Sequence, residues 1–346
     1  MIYITKIDFT KNTARAKHIR SLMKANKKLN KPFIFLFYDL KKPHKELVNF
    51  IKVLLDSIKK KETFYTRDLE FAALAIFFQI KVIFEIHQYG MIRDSTRFSK
   101  FNKLILLLLS RSRKINFVTL TKNSARVLNY LFPKIKKENI YIIPDAGEKI
   151  KNTKTKKNNS IKKFFKLNIG YAGSFLPGKG GLETINLARE LKDYRFNIAG
   201  ILDKEKINKL HNSKNVYYSG YLNDYEIQKF YDENDVLIAP IGERIFLDKK
   251  YLNEITFYTS PLKLFEFLFT NKPVITINRP CTRIFKNIPG LWIIEKDKAF
   301  CINTWKEVLN EVNEFINDDQ NANLLDLRIS KIYNWEKRIK DMINIK

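Results

Sequence analysis

The sequence has little cysteine and no long apolar run, and both shortages exclude whole classes of protein. Only two of its 346 residues are cysteines, Cys281 and Cys301. Two are too few for a disulfide scaffold, so we expect a reducing compartment. The longest apolar run beside basic residues is 104–109, whereas a transmembrane helix needs about 20 residues. Residues 1–6 lack the basic-then-apolar order of a signal peptide and are typical of a first strand. We therefore expect a soluble or peripheral protein in the cytoplasm.

Several catalytic signatures are missing as well. The sequence has no Gly-x-Ser-x-Gly elbow and no Asp-x-Asp pair, and its four histidines are scattered. These absences argue against serine hydrolases and against a metal site. The loop after the first predicted strand, 8–15, contains no glycine, which argues against NAD-dependent chemistry. We expect neither a metal nor a resident cofactor.

Acidic residues are scarce, because 36 of them stand against 64 lysines and arginines, a formal net charge of +28. Such an excess fits an anionic membrane surface, a nucleic acid or lysine-rich solvated faces. No zinc-finger spacing, basic zipper or RNA-recognition signature supports nucleic acid. The stretch from Phe98 to Lys114 is apolar with cationic flanks. It fits peripheral membrane attachment, and it equally fits a helix packed on a sheet.

Short apolar runs alternate with stretches of helical length, which predicts βαβ units and parallel sheets. We predict an α/β fold with a doubly wound domain at 1–147, a basic linker at 148–165, a second such domain at 166–330 and a C-terminal helix within 331–346. The predicted strands are 1–7, 33–37, 63–66, 82–86, 115–120, 140–143, 167–171, 196–199, 216–218, 236–239, 273–277 and 291–294. The predicted helices are 13–23, 44–59, 68–79, 98–110, 124–132, 180–191, 204–210, 224–231, 261–269, 302–316 and 334–343.

The segment TSPLKLFE, 259–266, carries the strongest local signal. Ser260 is a favoured N-cap residue, and Pro261 suits the first helical position. The start of a helix attracts anions, so Lys263 in its first turn fits a bound diphosphate. Glu266 lies on the same side one turn later, where a carboxylate can accept hydrogen bonds from a ribose. A capped helix with an internal ion pair explains the same residues.

A second loop, 170–181, follows a predicted strand and is rich in glycine. Residues from Gly173 to Lys179 fit the G-x4-G-K frame of a P-loop. Gly180 stands where that loop needs Ser or Thr for magnesium, and Pro177 removes a backbone donor, so the match fails. Lys179 can still serve as a point charge on a phosphate. The alternative is an ordinary glycine-rich turn.

A third candidate, His87 in EIHQYG (85–90), ends a predicted strand at the edge where open sheets bind ligands. Arg67 follows the preceding predicted strand. A single histidine is more often structural than catalytic, and both interpretations remain open here. We assign no role to His18, His44 or His211.

The order of these segments resembles the GT-B glycosyltransferases of family 4, which transfer sugars from nucleotide sugars and retain the anomeric configuration. Trp335 is similar to a tryptophan of the family's C-terminal helix. The matching segments are YTR (65–67), FEIH (84–87), IIPDA (142–146), YAGS through KG (171–180), YSGYL (218–222), YDENDVLIAP (231–240), SPLKLFEF (260–267) and NKPVI (271–275).

The resemblance implies two Rossmann-like domains that face each other across a cleft, with a C-terminal helix crossing back to the first. It also implies a role for each matching residue. The implied donor-binding residues are Gly173, Ser174, Lys179, Tyr221, Leu222, Ser260, Leu262, Lys263 and Glu266. Lys179 neutralises phosphates, the N–H groups of Leu262 and Lys263 bind the diphosphate, Glu266 holds the ribose, and Tyr221 and Leu222 flank the base. The acceptor side has Asn12, Arg67 and His87, and the implied catalytic residues are His87, Lys179 and Glu266.

The implied reaction moves a hexose-type sugar from a nucleotide diphosphate sugar to a hydroxyl of a glycan or glycolipid, in cell-surface polysaccharide synthesis, without a metal. The implied location is the cytoplasm or the inner face of the membrane. Two positions depart from the family: Tyr258 replaces the first acid of a Glu-x7-Glu pair, and Ser174 replaces a frequent arginine. Two alternatives are a basic nucleic-acid-binding α/β protein and a catalytically idle GT-B subunit.

Overall fold

The computed structural model describes most of the chain, and its contacts divide it into two compact units. Unit 1 comprises Met1–Asp145, Tyr258–Ser260 and Trp335–Lys346, and unit 2 comprises Ala146–Phe257 and Pro261–Asn334. The predicted domain boundaries stay a prediction, and most of the predicted linker lies outside the described residues. The described residues are 1–8, 13–30, 32–38, 43–90, 97–149, 164–203, 213–249, 253–318, 320–321, 324–325, 329 and 332–345.

Unit 1 is built on a six-stranded parallel sheet of order β2-β1-β3-β4-β5-β6. The chain moves from β1 to β2 on one side and then to β3 on the other, so the order reverses between β1 and β3. Its strands are β1 Ile2–Lys6, β2 Ile34–Tyr38, β3 Thr63–Thr66, β4 Lys81–Ile86, β5 Ile115–Thr119 and β6 Ile140–Ile142. Its helices are α1 Ala14–Lys28, α2 Pro43–Lys60, α3 Leu69–Phe77, α4 Arg97–Leu109 and α5 Lys122–Leu131, together with the C-terminal α10 Trp335–Ile343.

Unit 2 has a second six-stranded parallel sheet, of order β12-β11-β10-β7-β8-β9. Counted within the unit, this is the 3-2-1-4-5-6 order of dinucleotide-binding folds, with the reversal between β7 and β10. The strands are β7 Asn168–Ala172, β8 Arg195–Ala199, β9 Val216–Tyr218, β10 Val236–Ala239, β11 Val274–Ile277 and β12 Leu291–Ile294. The helices are α6 Gly181–Glu190, α7 Asp224–Glu233, α8 Leu262–Leu268 and α9 Ile302–Asn317.

The predicted α/β class is confirmed, and so is the position of every predicted strand. These strands were readable because a parallel strand covered on both faces is apolar at nearly every position; β5 and β10 are buried along their whole length. The C-terminal helix belongs to unit 1, as the resemblance implies. The helix predicted at 204–210 lies outside the described residues.

The predicted start of α8 is wrong by one residue. We expected Ser260 as N-cap and Pro261 as the first helical residue, whereas the helix begins at Leu262 and Pro261 is its N-cap. The ψ angle of Pro261 is 75°, outside the helical range. Its carbonyl accepts the N–H groups of Leu264 and Phe265, which is the position of an N-cap carbonyl. Ser260 makes no side-chain cap and groups with unit 1.

A glycine contact fixes the ends of β7 and β8 in unit 2. Gly200 has a φ of 144°, and a Cβ at this position would lie 2.1 Å from the Gly173 carbonyl oxygen. The Gly173 N–H in turn donates to Ala199. The close approach therefore depends on the absence of a side chain at Gly200.

We expect Gly200→Ala to lower the free energy of unfolding by about 3 kcal/mol, because it adds a steric clash to an unfavourable φ. Gly220→Ala is the matched control, since Gly220 also has a positive φ (70°) but its Cβ would meet no atom within 4 Å. The control should lose only about 1 kcal/mol. Urea unfolding measures both, and equal losses would contradict the contact.

Candidate functional site

The carboxyl edge of the unit 2 sheet gathers three loops at the point where the strand order reverses. They follow the adjacent strands β7, β10 and β11 and comprise residues 173–180, 240–245 and 278–282. Ligands of open parallel sheets bind at such a reversal, outside the carboxyl ends of the strands. Of the predicted donor residues, Gly173, Ser174 and Lys179 lie on the first loop. Tyr221 and Leu222 follow β9 at the same edge.

The β7–α6 loop is held in shape by glycines and by the β10 loop. Gly178 has a φ of 74°, and a Cβ there would lie 1.8 Å from the Arg244 carbonyl oxygen. Gly180 is left-handed at the N-cap of α6, and its N–H donates to the Glu183 carboxylate at 3.1 Å. The Gly242 N–H donates to the Gly178 carbonyl. The glycines therefore allow the two loops to pack backbone against backbone.

Two cations lie on the loops of this edge. Burial lowers the pKa of Lys179, and within the described residues no carboxylate forms an ion pair with it. Arg279 on the β11 loop is buried, its Nε donates to the Ile241 carbonyl at 3.1 Å, and burial lowers its pKa. The Cys281 thiol lies near both cations, and burial raises its pKa to about 12. The thiol therefore stays neutral, and an anionic ligand would relieve the charge.

A second group of polar side chains lies on α8 and at the end of α7. The Lys263 ammonium bonds to Glu266 Oε2 at 2.9 Å, which is the internal ion pair of the alternative explanation. The Tyr231 hydroxyl donates to Glu266 Oε1 at 2.8 Å. Burial raises the pKa of Tyr231 well above its usual value, and the neighbouring Glu266 adds to the shift. The carboxylate is therefore held at both oxygens. The N–H groups of Leu262 and Lys263 precede the first hydrogen bond within the helix.

In unit 1 the carboxyl ends of β3 and β4 carry a buried polar network around Glu85. The carboxylate accepts the Tyr65 hydroxyl, the His87 Nε2–H and, at 2.9 Å, Arg338 Nη2 from α10. Arg338 also donates to the carbonyls of Ile143 and Pro144. Although burial opposes ionisation, Arg338 and then His87 hold the pKa of Glu85 well below its usual range. The network is an anchored carboxylate that orients the imidazole of His87.

The two predicted residues of this edge, Arg67 and His87, lie together beside Glu85, with Arg67 Nε 3.9 Å from its carboxylate. Burial and the charge of Arg67 lower the pKa of His87, so its imidazole is neutral at physiological pH. Asn12, the third predicted residue, lies outside the described residues. Several buried polar atoms here have no hydrogen-bond partner within the described part of the chain. They are Tyr3 Oη, His18 Nε2, Arg67 Nη1 and both carboxylate oxygens of Asp145.

Four functional candidates escaped the sequence analysis: Tyr231, Arg279, His18 and Arg338. His18, to which we assigned no role, is buried against the Trp335 ring at 4.7 Å and the His87 ring at 5.6 Å. Its spacing on α1 gave a usable signal, because His18, Leu22 and Ala25 fall on one apolar side. Tyr231 lay inside a recognised segment without a role. Nothing in the sequence connected Arg279 or Arg338 with its partner.

We expect stability to fall as the pH drops below about 6.5. The pKa of His18 and that of His87 are both lowered in the folded state, His18 most by burial and then by Arg67. The unfolded chain therefore binds protons first, and stability is complete above the unfolded pKa and lost below it. Each histidine costs about 1.4 kcal/mol over the pH unit below 6.5. His18→Gln should remove the part of this loss in unfolding free energy that His18 causes. Urea unfolding at pH 7.5 and 5.5 measures the loss in both proteins. The same pH dependence in both proteins would refute this assignment.

We also expect Arg338→Met to destabilise the protein by about 3–5 kcal/mol, because it leaves the Glu85 carboxylate buried without its cation. Replacing both residues, Glu85→Gln with Arg338→Met, should recover a large part of that loss, since no charge is then stranded. Thermal unfolding of the two variants provides the comparison. Additive losses in the double variant would show that the two side chains act independently.

No family model matches the sequence. An uncharacterized 41.2 kDa protein in a cps region of Klebsiella pneumoniae is 32% identical over 98 residues, which are 28% of this chain and 27% of that protein. The match thus spans about a quarter of the relative's length. Because it is so short, it does not define a family for the chain.

Solved structures match along almost the whole chain. A glycosyltransferase from Rickettsia africae is 16% identical, with 99% of this chain and 96% of that chain covered and a TM-score of 0.66. HepE from Anabaena, solved with UDP, is 11% identical, with 99% of both chains covered and a TM-score of 0.64. TarM is 18% identical at a TM-score of 0.54, and the match covers 82% of this chain and about half (54%) of TarM.

These structural similarities define the fold, which is the GT-B fold of the glycosyltransferases, as the sequence resemblance predicted. At such low identity they define the fold alone. Within the described residues, no three His, Cys, Asp or Glu side chains are grouped as metal ligands would be. A search of the same residues finds no helix with the length and apolar character needed to cross a membrane.

Proposed function

We propose that this protein is a glycosyltransferase that takes its sugar from a nucleotide diphosphate sugar. The observation that carries the proposal is the positive edge of unit 2, where Lys179 is half-buried without a carboxylate partner in the described residues. HepE shares the fold and has been solved with UDP and with UDP-glucose. A diphosphate is the anion that such an edge would bind.

The donor fits the residues of this edge in stated roles. Lys179 neutralises the phosphates, and Lys263 with the N–H groups of Leu262 and Lys263 binds the diphosphate. Glu266 accepts hydrogen bonds from the ribose, in an orientation set by its bond to Tyr231. Gly173 and Ser174 line the phosphate loop, Ser260 precedes the diphosphate-binding turn, and Tyr221 and Leu222 flank the base.

We infer a retaining reaction in which the diphosphate leaves and one of its oxygens takes the proton of the incoming hydroxyl. The negative charge grows on the leaving diphosphate, so Lys179 and Lys263 stabilise the transition state electrostatically and no metal is needed. Because Glu85 only accepts hydrogen bonds, His87 carries its proton on Nε2 and offers Nδ1 as an acceptor. We assign His87 to the transferred sugar, and Asn12 and Arg67 to the acceptor side.

We further propose a hexose-type sugar and a hydroxyl acceptor on a glycan or glycolipid, within cell-surface polysaccharide synthesis at the inner face of the membrane. The support is the similarity to family 4 and the short match to a protein in a cps region. Tyr258 has no carboxylate with which to contact the sugar, and its buried ring packs edge-on against Tyr89, with the ring centroids 5.0 Å apart. Other residues must then determine which sugar the protein binds.

The proposal is tested by thermal shift with UDP, GDP and ADP, followed by a transfer assay. One diphosphate should stabilise the protein by about 2.7 kcal/mol at 100 times its dissociation constant. Glu266→Ala should abolish that shift, and Tyr231→Phe should weaken binding by about tenfold through loss of one hydrogen bond to a charged group. Glu233→Ala is the control, since this exposed carboxylate pairs only at the surface with Lys229.

Binding and transfer assays also distinguish the two alternative functions, a nucleic-acid-binding protein and an idle GT-B subunit. Salt-dependent binding of DNA or RNA without a shift from any diphosphate would favour a nucleic-acid-binding protein. Donor binding without turnover, for a broad set of acceptors, would favour an idle GT-B subunit.

A further inference from the structure

We propose that the outer sides of α3 and α4 in unit 1 form a lipid-docking face that binds an anionic bilayer. The face goes beyond sugar transfer and is assigned from this unit alone. Its apolar members are Leu74, Phe77, Phe78, Phe101, Leu104, Leu107 and Leu108, all of them exposed.

The two helices pack side by side and each has two apolar sides. On α4, Leu106 and Leu109 are buried, as an ordinary sheet-packing side requires. Phe101, Leu104 and Leu108 follow helical spacing on another side, and they are 58%, 53% and 58% exposed. The neighbouring Phe77 at the end of α3 is 78% exposed. Single exposed apolar residues are common, whereas a continuous set across two helices marks an interaction surface.

The charges on α4 and the turn that follows it all have one sign, whereas α3 adds one exposed carboxylate, Glu70, which pairs with Lys6. Residues 97–114 contain six basic residues and no acidic one. All six are exposed on α4 and the turn that follows it: Arg97, Lys100, Lys103, Arg111, Arg113 and Lys114.

Exposed apolar side chains flanked by cations fit an anionic bilayer better than they fit a second copy of the chain or a nucleic acid. Phenylalanine and leucine side chains enter the boundary between headgroups and acyl chains, while long lysine and arginine side chains reach lipid phosphates. A second copy of the chain would place two such basic faces against each other, which repulsion disfavours. A nucleic acid would use the cations but would leave the apolar side chains in water. We therefore commit to a bilayer rich in anionic lipid.

Co-sedimentation of the full chain with vesicles tests the face. The protein should bind phosphatidylcholine vesicles that contain phosphatidylglycerol, and bind pure phosphatidylcholine far more weakly. Phe101→Ser should weaken binding by about tenfold, because an apolar side chain no longer leaves water. Lys103→Gln should weaken it by about fivefold, because one charge is lost near the surface. The matched control is Phe300→Ser in unit 2, a phenylalanine of similar exposure (56%), which should bind as the parent does.

Three results would overturn the proposal. They are equal binding to both vesicle types, unchanged binding of Phe101→Ser, or an equal loss in Phe300→Ser. Light scattering without lipid measures whether the face instead binds a second copy of the chain. If the protein is a dimer and Phe101→Ser converts it to a monomer, the bilayer assignment is refuted. The parent-like thermal unfolding expected of each variant is measured alongside, so that a misfolded protein is not read as a binding loss.

Discussion

The Glu85 carboxylate lies at the buried end of β4, where an ionised group without a partner would cost several kcal/mol. Its charge is matched by Arg338, which is also buried and belongs to α10. Nη1 of the arginine donates to the carbonyls of Ile143 and Pro144, so the pair also holds the segment that leaves β6. The position of His87, the packing of His18 on Trp335 and the attachment of α10 to unit 1 all depend on this pair.

Unit 2 shows the opposite arrangement. There Arg279 is buried and Lys179 is half-buried, no carboxylate in the described residues pairs with Lys179, and the thiol near both cations stays neutral. The Glu85 carboxylate has a buried arginine as its partner, whereas Lys179 at the edge of β7 has no ion-pair partner in the described residues. Uncompensated charge near a strand reversal is a frequent property of binding sites, because the ligand supplies the missing partner.

Most strands and helices of this protein could be predicted from local sequence patterns. Buried parallel strands are continuous apolar runs, so β5 and β10 appeared in the sequence at once. The start of α8 was misplaced because a cap signal describes sequence preference, whereas the ψ angle of Pro261 depends on the surrounding fold. The Glu85–Arg338 pair joins residues 253 positions apart, and no local rule detects a contact at that separation. The same holds for Arg279 and Ile241, which meet only because β10 and β11 are neighbours.

The separation of Glu85 from Arg338 has a consequence for how the chain matures. During synthesis the strands of unit 1 leave the ribosome early, whereas the arginine that neutralises β4 is made only after unit 2. Until then Glu85 lacks the buried cation with which it pairs in the folded protein. Unit 2, whose segments lie between, can form its own sheet in the meantime. Unit 1 therefore cannot complete its buried ion pair until all the residues of unit 2 have been synthesised.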